Sequence, residues 1–134
     1  MTQGATPSLP PCPCGSGLPY PQCCALLHQG QPAPTAEALM RSRYSAFVMA
    51  DADYLLLSWH SSSRPARAEL EFDPRCRWLG LTIKGHQQLD DDHATVEFVA
   101  RYQLNGRAFR LHETSNFVRE QGQWRYVDGL IHPH

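Results

Sequence analysis

The sequence predicts an α+β fold: a small N-terminal cysteine knuckle, then three helices packed on one face of a curved four-stranded antiparallel sheet. Three observations carry that prediction. Four of the five cysteines fall between Cys12 and Cys24. From Thr35 to about Glu71 the apolar residues recur at helical spacing. After Asp73-Pro74 the period drops to two, and short Gly-containing turns separate the alternating runs. Helices followed by a meander of strands place the helices together on one sheet face.

The elements follow in chain order. Residues 1–11 read as a disordered leader, 12–30 as the knuckle, 31–35 as a linker, 36–131 as the α+β domain and 132–134 as a tail. Pro21 suits the first position of a helix that carries Cys23 and Cys24 in its first turn and stops at Gly30. Thr35 is a fitting N-cap for a helix over 36–50, whose apolar stripe is Leu39, Met40, Tyr44, Phe47 and Val48. A second helix starts at Asp51 or Asp53 and runs to Trp59. A third, short one is expected between Ser63 and about Glu71. Strands are expected near 77–88, 93–104, 107–120 and 123–130.

Charge and composition narrow the function. The formal net charge of −1 offers no general attraction to nucleic acid or to an anionic membrane. No run approaches the roughly 18 apolar residues of a membrane span. The N-terminus lacks the basic and apolar regions of a secretory signal, so free thiols in a reducing cytoplasm are expected. Met1 to Ala36 contains no Lys, Arg, Asp or Glu, and most of the eleven prolines lie there.

Cys12, Cys14, Cys23 and Cys24 have the residue types and spacing of one tetrahedral zinc site. Two disulfides are the rival use, but bridging adjacent Cys23 and Cys24, or Cys12 and Cys14, strains the S–S geometry. Gly15, Ser16 and Gly17 allow a tight turn that points N–H groups at the thiolates. His28, four residues after Cys24, is the alternative fourth ligand; otherwise it is a solvated helix-end residue. A zinc ion closed by four ligands has no position left for substrate, so the site is expected to hold structure and not to catalyse.

The run Cys12-x-Cys14-Gly15-Ser16 followed by Tyr20-x-x-Cys23-Cys24 resembles the SEC-C motif of the SecA C-terminal tail. Further stretches extend the likeness across nearly the whole chain: Met40 to Phe47, Asp51 to Leu55, Trp59-His60, His112-Glu113-x-Ser115 and Trp124 to Gly129. Together they resemble the YchJ family of bacterial proteins, whose activity is unestablished. The resemblance implies a nuclear-transport-factor-like cone for the core, a fold that often dimerises through the outer sheet face. It also implies a protein-docking role for the knuckle. Two features depart from the family: no second SEC-C motif occurs in this sequence, and the insert between the cysteine pairs lacks lysine. The missing charge favours apolar protein contact over phosphate contact.

The turns set a register. Asn105-Gly106 is a strong two-residue hairpin signal and pairs Tyr102 with Phe109, Ala100 with Leu111, Phe98 with Glu113 and Val96 with Ser115. Gln121-Gly122 likewise sets Trp124 opposite Arg119, Tyr126 opposite Phe117 and Asp128 opposite Ser115. Glu113, Ser115 and Asp128 are then expected on the apolar face of Phe98, Tyr102, Phe117 and Tyr126. Polar groups there must be paired or must line a cavity.

Two readings of that cluster follow. In one, Arg41 or Arg43 crosses from the first long helix to Glu113 or Asp128 as a buried ion pair that fixes packing. In the other, the cluster floors a small-ligand pocket reached by Arg43 and rimmed by Tyr44, Trp59 and His60, with Glu113 or Asp128 as a proton-transfer group. Strand parity turns His112 to the opposite face, away from Glu113. His132 and His134 lie in the tail, where a second metal would need partners that the sequence alone does not reveal. The expected function is a zinc-binding scaffold that docks a protein through the knuckle and holds a small molecule in the cone. A small lyase or isomerase is the alternative.

Overall fold

A computed structural model describes residues 10–133; most of the expected leader, and His134, lie outside the described residues. A single 3-10 turn at Tyr20–Gln22 leads into α1 (Cys24–His28), followed by α2 (Ala36–Val48) and α3 (Ala52–Leu57). The sheet comprises β1 (Cys76–Asp90), β2 (His93–Leu104), β3 (Arg107–Glu120) and β4 (Gln123–Ile131), antiparallel and in chain order.

Local chemistry sets the boundaries. Thr35 caps α2 by accepting from the Ala38 N–H, and Glu37 in the first turn pairs with Arg41. Asp51 caps α3 by accepting from the Tyr54 N–H. The two hairpin turns predicted from sequence form as two-residue turns: Asn105-Gly106 and Gln121-Gly122 all have positive φ, the type I′ pattern whose twist matches the flanking strands. The β2–β3 register agrees with the expected one at every pair.

Two helical expectations differ from what forms. The knuckle helix breaks at Cys23, so Pro21 lies inside a separate 3-10 turn and only Cys24 enters α1. Between Ser63 and Glu71 a single 3-10 turn forms, Arg67–Glu69. That stretch has no apolar face long enough to hold a helix against the core, and its residues are mostly exposed.

The sheet curls around α2. β1 carries bulges between Trp78 and Gly80, Ile83 and Gly85, and Gln88 and Asp90. Each inserts an extra residue and adds local twist. The concave face presents Val96, Phe98, Ala100, Phe117 and Trp124 to Leu39, Met40 and Tyr44 of α2. Cys12, Cys14 and Cys24 belong to the same continuous core. No helix among the described residues is long and apolar enough to cross a membrane.

Candidate metal centre and cone pocket

The four cysteines converge as their spacing predicts. One sulfur from each of Cys12, Cys14, Cys23 and Cys24 lies within 4.8 Å of every other. Zn–S bonds of about 2.3 Å in a tetrahedron place sulfurs about 3.8 Å apart; the Cys14–Cys23 and Cys23–Cys24 separations are 3.6 and 4.0 Å. All five cysteines are free, and those sulfurs stand at coordination rather than bonding distance.

The protein shapes this site from several sides. Gly15 and Gly17 take positive φ, which permits the tight return of the chain. A hydroxyl from Ser16 reaches Cys23 Sγ at 3.1 Å. Arg41 donates to the Cys14 carbonyl at 2.8 Å, tying the loop to α2 and bringing the nearest fixed positive charge. Four thiols this close cannot all ionise without a counter-charge. Hydrogen bonding from Cys24 draws Cys14 down to about 4, while the same bond, with burial, drives Cys24 far upward. A divalent cation at the centre removes that conflict, so the donor set fits a metal.

His28 is neither a ligand nor a solvated helix end. Its Nε2 donates to the Ser42 carbonyl at 2.8 Å and its Nδ1 meets the Tyr20 hydroxyl at 2.7 Å, with the ring 4.6 Å from that of Tyr54. The carbonyl can only accept, which fixes the proton on Nε2. His28 therefore bolts the knuckle to α2.

The second site is a cavity of about 220 Å³ between α2 and the concave sheet face. Arg43, Tyr44, Trp59, Glu113, Ser115 and Tyr126 line it, and Phe98 closes it on the sheet side. Arg43 is 3% exposed. Its Nη1 donates to the Leu55 carbonyl at 2.9 Å and to Ser58 Oγ at 2.6 Å. The guanidinium carbon sits 4.8 Å from the Trp59 ring centre and 4.4 Å from that of Tyr126. Among the described residues no carboxylate comes within 4.0 Å of it and no acceptor meets Nε or Nη2. The expected ion pair with Glu113 or Asp128 is not formed: Arg41 goes to Glu37 and Arg43 to the end of α3. Burial depresses Arg43 to about 10, so it remains a cation at neutral pH. Burial, and then the nearby Glu113 carboxylate, push Tyr126 up to about 12, which keeps its phenol a donor.

Three expected pocket residues lie elsewhere. Asp128 was to face Ser115, but a bulge in β4 shifts the register between Asn116 and Phe117, so Asn116 pairs with Asp128 and Ser115 with Gly129. The extra residue, Val127, turns Asp128 to the opposite face, where Asn116 Nδ2 donates to it at 2.8 Å. His60 turns outward to Glu120 at 2.9 Å and borders a surface cleft that Asp128 also lines. Tyr102 stacks on Phe109 and packs against Trp78, beside the cavity rather than in its wall. Sequence reasoning missed Phe47 and Trp78, which do line it.

Glu113 is thus the sole carboxylate in the pocket wall among the described residues. Its Oε2 accepts from Ser115 at 2.7 Å. Gly129 makes room for it: a Cβ there would overlap the carboxylate and stand 2.6 Å from Glu113 Cδ. Gly129→Ala is expected to cost about 1–3 kcal/mol by overpacking. Adding Glu113→Ala should return most of that loss, a coupling that a double-mutant cycle in urea would read.

Comparison with known proteins agrees with this architecture. The family model for the YchJ middle NTF2-like domain matches residues 35–129. The chain belongs to that family. A UPF0225 protein of Polaromonas naphthalenivorans is 54% identical, over 89% of this chain and 96% of its own. The solution structure of a SEC-C motif-containing protein from Rhodopseudomonas palustris superposes with a TM-score of 0.78 at 32% identity, covering 91% of this chain and 98% of that one. A crystal structure of a SEC-C motif-containing protein from Psychrobacter arcticus gives 0.70 at 28%, covering 92% and 83%. This YchJ-family chain thus carries a SEC-C-like cluster of four cysteines whose sulfurs could hold a metal ion.

Proposed function

We propose that this YchJ-family chain is a zinc-stapled binding protein whose cone takes a small organic anion. One observation carries the reading: a buried Arg43 whose Nε and Nη2 edge has no protein acceptor, beside a cavity walled by aromatic rings. Glu113 acts on it only from beyond ion-pair distance, and a buried cation with no counter-ion in contact is costly. A carboxylate entering the cavity pairs with the fork of Arg43, the geometry at which arginine binds best. Glu113 and the Tyr126 phenol offer an acceptor and a donor to the rest of the ligand, and the walls favour a flat apolar body. About 220 Å³ suits a single-ring acid.

Zinc is the metal proposed for the cysteines, because four thiolates closing a tetrahedron favour it. The core that the knuckle shares with the cone supports a structural role for the ion. Leu18 and Leu26 leave the outer side of the knuckle apolar, which supports docking of a protein partner there.

The pocket is tested with benzoate against its neutral isostere benzamide. Benzoate should raise the melting temperature and shift the Trp59 and Tyr126 NMR signals; benzamide should do neither, and Arg43→Gln should abolish the benzoate effect. Equal responses to both compounds, or no response to either, would reject an anion site.

A further inference from the structure

The outer face of the sheet holds a second cluster of metal-ligating groups, far in sequence from the cysteines. Glu97 on β2, His112 on β3 and His132 just beyond β4 each present one donor atom, and these atoms lie within 4.8 Å of one another. We propose that these three side chains form a second metal site, for a borderline divalent ion of the Zn²⁺ class. Two imidazoles and a carboxylate suit such ions, and three protein ligands leave a position open for water or an exogenous group.

The backbone places the ligands without help from a ligand. The His132 N–H donates to the His112 carbonyl at 2.8 Å, continuing the β3–β4 pairing by one residue and setting the two histidines side by side. Their rings stack with centroids 4.2 Å apart and planes 20° from parallel. Glu97 Oε2 reaches His112 Nε2 at 2.7 Å across the β2–β3 ladder. Thr114 Oγ1 meets His132 Nε2 at 2.7 Å and fixes the rotation of that ring. Beside them, Val99 is paired with His112 and 3% exposed, so one flank of the cluster is packed apolar surface.

Metal–ligand bonds of 2.0–2.2 Å would draw the three atoms to about 3.4 Å from one another. The present spread is within reach of side-chain rotation, with the ladder held fixed. The ion takes the place of the hydrogen bond between His112 and Glu97. Arg101 and Arg110 face each other two pairs along the ladder from Val99 and His112. Their charge opposes loose accumulation of cations, so any binding must come from coordination. A hard ion such as Mg²⁺ is not expected to bind.

Zinc titration of the full chain, read by native mass spectrometry and calorimetry, tests the site. The wild type should take two zinc ions per chain and no Mg²⁺. His112→Ala and His132→Ala should each keep the cysteine-bound ion and weaken the second by more than roughly tenfold. Cobalt separates the two sites, since only the thiolate site gives intense sulfur-to-metal charge transfer. His93→Ala, which removes another exposed histidine–carboxylate pair, should leave the count at two. A wild-type count of one, a second ion retained in both ligand variants, or its loss in His93→Ala would overturn the assignment.

Discussion

Cys14→Ser is expected to abolish zinc binding at the knuckle and to lower stability by about 4 kcal/mol where free zinc stands a thousandfold above its dissociation constant. Cys14 is fully buried, its sulfur lies 3.6 Å from Cys23, and its carbonyl holds Arg41 of α2. A serine hydroxyl keeps nearly the same volume but ionises too weakly to ligate, so the loss reports the metal and not a cavity. The effect should not stop at the knuckle. Cys12, Cys14 and Cys24 pack in one core with Leu39, Met40 and Leu81, and His28 anchors α1 to α2. Hydrogen exchange is expected to rise across 12–30 and at the start of α2 while the β2–β3 hairpin stays protected. Denaturant titrations with and without a chelator check the claim. The wild type must lose stability on chelation and Cys14→Ser must not respond; a wild type indifferent to chelator would mean that the ion does not hold the fold.

Much of this was legible in the residues because the rules involved are local. A type I′ turn needs two residues at positive φ, and Asn105-Gly106 supplies them; once the turn is set, parity fixes every pair back to His93. The cysteine cluster was legible for the same reason, since its ligands lie within thirteen residues. The bulges were the harder part. A valine at 127 fits a regular strand as well as a bulged one, so Asp128 was placed on the wrong face. A weak signal did exist: Gly80, Gly85 and Gly129 all interrupt strands close to bulges, and isolated strand glycines often mark them. Long-range partners left no trace at all. Nothing near His28 announces the Ser42 carbonyl, and nothing near His132 announces Glu97, because only the folded ladder brings them together.

Arg43 gives the sharpest separation between stability and function. Arg43→Ala should cost about 3 kcal/mol or more: it empties buried volume and removes the donor shared by the Leu55 carbonyl and Ser58. Arg43→Met is the informative partner. It fills the space between Trp59 and Tyr126 with an apolar, polarisable chain and removes a desolvated cation that no carboxylate contacts among the described residues. Ser58 keeps its own bonds to the Tyr54 and Leu55 carbonyls, so little is left unsatisfied. Stability should return to within about 1.5 kcal/mol of the wild type, or exceed it. Benzoate binding should nevertheless stay absent. That pairing would mean that the arginine is kept for what it binds, at a cost to the fold. If Arg43→Met were instead as unstable as Arg43→Ala, the guanidinium would be a structural bolt between α2 and α3 and not a binding group for an anion.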